Sequence, residues 1–185
     1  MNRDLRWYDH LTLNSYWLGL NTASGIITPL LLPALVVLYM PVEYKNTYLA
    51  TVSTLGLAVA MLVQPIAGML SDRSTARLGR RRPFILVGAL LNIVFLAVIG
   101  LSKSFTNSPL DAALMPALGF TAAYGVLLLG IVLLQVSSNI GHGALQGLIP
   151  DLVPPQQRGR ASGVKAVFEL LPVLLVFLVG GWIDR

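Results

Sequence analysis

Four hydrogen-bonding side chains, Gln135, Asn139, His142 and Gln146, stand at i, i+4, i+7 and i+11 within a mostly apolar stretch. On a helix they fall within about 60° of arc, one narrow face. Asn14, Asn21, Gly25 and Thr28, at i, i+7, i+11 and i+14, form a second stripe of about the same width. Amides, an imidazole and a hydroxyl placed this way have two uses: they bond a polar solute in a water-filled cavity, or they bond neighbouring helices to one another. Trp17 either offers an aromatic platform to a bound solute or belongs to an interfacial belt. Glu169 is either a proton or cation site or the i+4 partner of Lys165. His142 can change charge near neutral pH, or burial can hold it neutral. The absence of Cys and the wide separation of His10 and His142 leave no metal-ligand spacing and no thiol nucleophile. One Glu and one His on different stretches make no catalytic constellation, so neither enzyme activity nor a cofactor or metal is expected.

The elements that must carry these residues are membrane helices. Of 185 residues, 55% are hydrophobic and only 11% charged, and the mean hydropathy is +0.73, too little polar cover for a soluble core of this size. Five segments approach the roughly 20 apolar residues needed to cross a bilayer: Tyr16 to Tyr39, Tyr48 to Leu70, Phe84 to Leu101, Gly119 to Ile149 and Gly163 to Ile183. The fourth reads as one long tilted helix, lipid-facing early and protein-facing late. The connections carry turn chemistry at Met40-Pro41, Arg82-Pro83, Ser108-Pro109 and Val153-Pro154-Pro155. The first span reads as an uncleaved signal-anchor, since the apolar region after Arg6 is too long for a signal peptide and has no small-residue cleavage pattern.

Ten of the thirteen Lys and Arg fall on alternate segments: Arg3 and Arg6; Arg73, Arg77, Arg80, Arg81 and Arg82; Arg158, Arg160 and Lys165. Lys45, Lys103 and Arg185 make up the rest. The positive-inside rule then puts the N-terminus and the second-to-third and fourth-to-fifth loops in the cytoplasm and Arg185 outside, in a multi-pass protein of the cell membrane. Topology also accounts for the net charge of +5 without nucleic acid as a partner.

The most specific stretch runs from Gly68 through Asp72, Arg73, Arg77, Gly79, Arg80 and Arg81 to Pro83. Gly68 lets another backbone come close, Asp72 accepts hydrogen bonds or pairs with Arg, and the arginines sit at an anionic leaflet. Together with Val63 to Ala67 before it and Phe84-Ile85 after it, this stretch resembles the signature loop of the major facilitator superfamily, in the longer form of the sucrose transporters and the glycoside-pentoside-hexuronide cation symporters. Asn139, Gly143, Leu148 and Asp151, followed by Pro154, Arg158, Gly159 and Arg160, resemble the fourth helix and the next loop of that family.

The resemblance implies an all-α bundle of twelve helices in two halves, of which this chain would supply five of the first six, lacking its C-terminal half. It implies alternating access with a small polar solute, a sugar or glycoside, carried with H+ or Na+ between the halves at mid-bilayer. The first and fourth helices would then line the cavity, with Asn21, Thr28, Gln135, Asn139, His142 and Gln146 as its binding groups. In the sucrose carriers it resembles, an Asp and an Arg stand where Gln135 and Gln146 stand here, and neutral amides cannot titrate. Any coupling by this half would then fall to Glu169 or His142. With the partner half missing, Asp72 is expected to be idle. A membrane-embedded enzyme and a non-transporting scaffold are the competing readings.

Overall fold

The computed structural model describes residues 5–183, without the side chains of residues 111, 112, 177 and 179–183. Arg3 and Arg185, both used in the charge count, lie outside the described residues. The described chain is all-α: α1 Trp7–Ile26, a π turn Ile27–Leu31, α2 Leu32–Tyr39, α3 Lys45–Arg73, α4 Arg82–Leu101, α5 Pro109–Leu118, α6 Ala122–Gln146, α7 Leu148–Leu152 and α8 Arg158–Ile183. Among the described residues, four helical runs are long and apolar enough to cross a membrane: Trp7–Tyr39, Val42–Arg73, Arg82–Phe105 and Ala122–Leu152.

Proline and glycine set the interruptions. Pro29 has no N–H to donate and its ring crowds the preceding turn, so the α-ladder slips to π spacing over Ile27–Leu31. Gly119 adopts φ 77°, and its amide bonds the Met115 carbonyl at 3.0 Å, closing α5. Where a single long fourth helix is expected over 119–149, the helical run is Ala122–Leu152: α6 begins after the Gly119 cap, at Ala122, and ends at Gln146, with Gly147 leading into the short α7.

The chain forms two compact units, Met1–Leu31 with Gly147–Arg185, and Leu32–Gln146. In the second, α6 is the central helix, half buried along its apolar window where α3 and α4 are only 11% buried. Glycine makes this possible. A Cβ on Gly88 of α4 would stand 2.8 Å from the Gly141 nitrogen and the Ser137 carbonyl of α6. One on Gly143 would collide with the Gln64 carbonyl of α3 and come within 2.9 Å of the Gly68 nitrogen. Backbones this close gain dispersion contacts and exclude lipid, the usual source of affinity between helices that are equally apolar all round. The helix ends remote from the Asp72 loop are tied by hydroxyls: Tyr39 and Ser102 share a bond of 2.9 Å, the Tyr124 hydroxyl donates to the Tyr48 carbonyl at 3.0 Å, and that of Tyr48 donates to the Gly119 carbonyl.

In the first unit, α1 packs on α8. Its buried face carries His10, Asn14, Trp17 and Leu20, at i, i+4, i+7 and i+10. The entry to α1 is held by the Asp9 carboxylate, which accepts the Arg6 amide at 2.8 Å.

Candidate functional site

The α6 stripe is graded by depth. Asn139 is buried, Gln135 and His142 are half-buried, and Gln146 is exposed at the helix end. Asn139 Nδ2 donates to the Gln135 carbonyl of its own helix at 2.8 Å, and the Gln135 side chain lies over Gly56 of α3, where a Cβ would be 3.3 Å from its Cγ. The α1 stripe repeats the arrangement: Asn21 Nδ2 donates to the Trp17 carbonyl at 2.8 Å. Neither asparagine uses its amide to reach a neighbouring helix. Each ties one hydrogen to the preceding turn and leaves its carbonyl oxygen without a hydrogen bond among the described residues. Thr28 is exposed on the π turn, where the change of helical pitch carries it off the α1 stripe counted at 3.6 residues per turn.

Interhelical bonding falls on residues that the spacing argument passed over. Asn92 Oδ1 on α4 accepts from both Ser137 and Ser138 of α6, the latter at 3.0 Å. An Asn in an apolar run facing a Ser-Ser pair was the signal available in the sequence. A second missed feature is a shallow groove on the N-terminal half of α3, lined by Asn46, Thr47, Thr51 and Thr54.

In the signature loop, Arg81 is only 8% exposed. Its guanidinium pairs with Asp72 at 2.6 Å and donates to the Ser71 hydroxyl at 3.4 Å and the Ala144 carbonyl of α6 at 3.5 Å. Asp72 is therefore not idle: it neutralises a buried cation inside this same unit, a role that does not need a second half. Gly79 turns the loop with φ 94°, a conformation an L side chain adopts only under strain. Arg73, Arg77 and Arg80 are exposed. Gly68 faces the Gly143 carbonyl across α3 and α6, with room for a Cβ at 3.6 Å, so Gly143 is the position that forbids a side chain.

In the other unit, Arg158 caps α7 by donating to the carbonyls of Pro150 at 2.9 Å and Val153 at 3.2 Å. Asp151 lies on α7, and Arg160 is exposed in the first turn of α8. Trp17 is 1% exposed, beneath the Lys165 ammonium at 4.1 Å from its ring centroid. This makes it a cation–π partner inside the protein rather than a belt residue. Lys165 also pairs with Glu169 at 3.5 Å. Asn14 Nδ2 bonds the His10 carbonyl at 2.9 Å and the Ala161 carbonyl of α8 at 3.3 Å, while Asn14 Oδ1 and His10 Nδ1 are buried without partners. Among the described residues no group of His, Cys, Asp and Glu could hold a metal ion.

The chain thus has a central helix with a graded polar face, glycine-mediated backbone contacts and an Arg-Asp loop between two spans, and the family model for the Major Facilitator Superfamily matches residues 17–184. The chain belongs to the major facilitator superfamily. Within this superfamily it is 32% identical over 129 residues to the sucrose transport protein SUC3 of Arabidopsis thaliana, covering 68% of this chain and 22% of that protein. It is 33% identical over 125 residues to the human proton-associated sugar transporter A, covering 66% and 16%. With the general alpha-glucoside permease of Schizosaccharomyces pombe the identity is 34% over 112 residues, covering 58% and 19%. The chain spans about a fifth of the length of the curated relatives it matches. No solved structure matches it. Superfamily membership and the apolar helices make it a multi-pass membrane protein.

Proposed function

We propose that this chain is the N-terminal, solute-binding part of a secondary active carrier that moves a sugar or glycoside by alternating access, as the names of its relatives suggest. The observation that carries the proposal is the state of the α6 amides. The Gln135 side-chain amide makes no hydrogen bond among the described residues, and Asn139, one turn on, keeps its side-chain carbonyl oxygen while its nitrogen is tied to the Gln135 backbone carbonyl. An amide donor beside a fixed acceptor matches a pair of sugar hydroxyls, each of which donates and accepts. Leaving such groups in an apolar helix is costly unless a solute or water satisfies them. Within the same compact unit, His142 and Gln146 extend the α6 face. The cell membrane with a cytoplasmic N-terminus is the proposed location. H+ or Na+ would be the coupled ion, and a C-terminal half the partner that completes the carrier.

For coupling, the geometry favours the ion-pair reading of Glu169, since Lys165 holds it within α8. An enzyme or a scaffold is the weaker reading, because the polar face offers hydrogen bonds and no nucleophile with a base.

The test is uptake by proteoliposomes carrying the gene product that contains this chain, offered labelled sucrose, an α-glucoside, glucose and an amino acid. Saturable uptake of a sugar is expected, falling at least about tenfold in Gln135→Leu and in Asn139→Leu, the loss of one or two hydrogen bonds to the solute. Unchanged uptake in both variants would remove the α6 face from the site. Chemical conversion of the sugar would replace the carrier with an enzyme.

A further inference from the structure

An apolar groove of about 410 Å³ runs between α3 and α4 and is floored by Ile140 of α6. Its walls include Ile66 and Leu70 on one side and Phe84 and Val87 on the other, with no polar side chain among its lining residues. Ile66, Leu70 and Arg73 stand at i, i+4 and i+7, so the apolar wall of α3 continues one turn further into a cation. On the facing helix, Arg82 directly precedes the lining residue Pro83. Groove and loop lie within one compact unit.

The loop between the two walls is strongly unbalanced in charge. It holds five arginines and one carboxylate, and that carboxylate, Asp72, is taken by the buried Arg81. Arg73, Arg77 and Arg82 are exposed and have no ion pair among the described residues. An apolar groove whose two walls run in sequence into exposed arginines is complementary to one kind of molecule, with an apolar chain attached to an anionic phosphate.

We propose that the groove binds one anionic phospholipid, with an acyl chain between α3 and α4 and its phosphate at Arg73 and Arg82. This goes beyond a general attraction of the loop to an anionic leaflet: it specifies a site with one-to-one stoichiometry. Arg81 is excluded from the headgroup site because Asp72 and α6 already hold it. The bound lipid would brace the α3–α4 pair beside the signature loop, and the proposal does not depend on which solute, if any, is carried.

The test is native mass spectrometry of the full chain released from uncharged detergent, titrated with dioleoyl phosphatidylglycerol, dioleoyl phosphatidylcholine or inorganic phosphate. One phosphatidylglycerol is expected to be retained at least about fivefold more than phosphatidylcholine, and each arginine is expected to be worth roughly fivefold. Arg73→Gln with Arg82→Gln should remove the preference while leaving phosphatidylcholine unchanged. Val87→Trp, which fills the groove, should lower retention of both lipids. Ile66→Trp should do the same from the opposite wall, and Leu90→Trp, an exposed position outside the lining, should not. Equal retention of the two lipids, indifference to both groove-filling variants, or displacement of the lipid by millimolar inorganic phosphate would each overturn the proposal. So would a lipid-free dimer that the groove-filling variants dissociate, which would make a second copy the occupant.

Discussion

The contacts of α6 with α3 and α4, and the contact of α1 with α8, join apolar helices by opposite means. Around α6 the closest approaches are glycine to backbone, and the polar groups that take part, Asn92 with Ser137 and Ser138, satisfy one another. Along the buried face of α1 stand a histidine, an asparagine and a tryptophan, and two of the buried polar atoms have no partner. The first contact is what stability alone would select in a bilayer. The second carries bulky polar groups that cost stability, which membrane helices keep where they meet solute, ion or water. The difference separates a contact built on close backbone approach from one that keeps unpartnered polar atoms.

The most severe test of this comparison is Gly143→Leu. A side chain there meets the α3 backbone rather than a flexible neighbour, so the expected loss is about 3 kcal/mol or more, read as lower resistance to unfolding in a denaturing-detergent titration. Tolerance of leucine would mean that α3 and α6 are not held by close backbone approach.

Arg81→Met comes next, with about 1–2 kcal/mol expected in the same titration. The guanidinium is buried, but the Asp72 side chain it leaves behind is 54% exposed, so solvent screening limits the cost. Asp72→Asn should cost less, and the double variant should show that the two effects are not additive. Strict additivity would deny the pair.

Asn92→Ala removes the acceptor shared by two hydroxyls and should cost about 1 kcal/mol. Asn139→Ala, which among the described residues loses a side-chain bond within its own helix alone, should cost less than that. Equal losses would erase the distinction between bonding amides and available ones.

The smallest effect is expected for Asn14→Leu, which deletes an unpartnered buried oxygen along with two donors. A change within about 1 kcal/mol in either direction is expected. A loss as large as that of Gly143→Leu would make the α1–α8 seam structural glue and undo the comparison from its other side.

Much of this protein was legible in one dimension. Apolar runs, basic loops and the Gly68 to Pro83 motif are local features, and each acts through the bilayer or its own sequence neighbourhood, so helix class, membrane residence and superfamily followed from the sequence. Helix ends were less legible where a single backbone angle decides them. Gly119 closes α5 by adopting positive φ, and Pro29 converts α to π spacing, which moves Thr28 out of register with Asn21.

Only the tertiary structure decided which polar groups hold helices together and which remain available. Periodicity put Gln135, Asn139, His142 and Gln146 on one face, but a face has no label. Asn139 turned out to bond its own helix, Ser137 and Ser138 to bond Asn92, and Arg81 rather than its four neighbours to be the buried arginine that Asp72 neutralises. Hydrogen bonds and ion pairs act over about 3 Å, so the choice of partner depends on how closely two backbones approach. Here that approach is fixed by Gly88, Gly141 and Gly143, whose effect depends on what faces them and not on their place in the sequence.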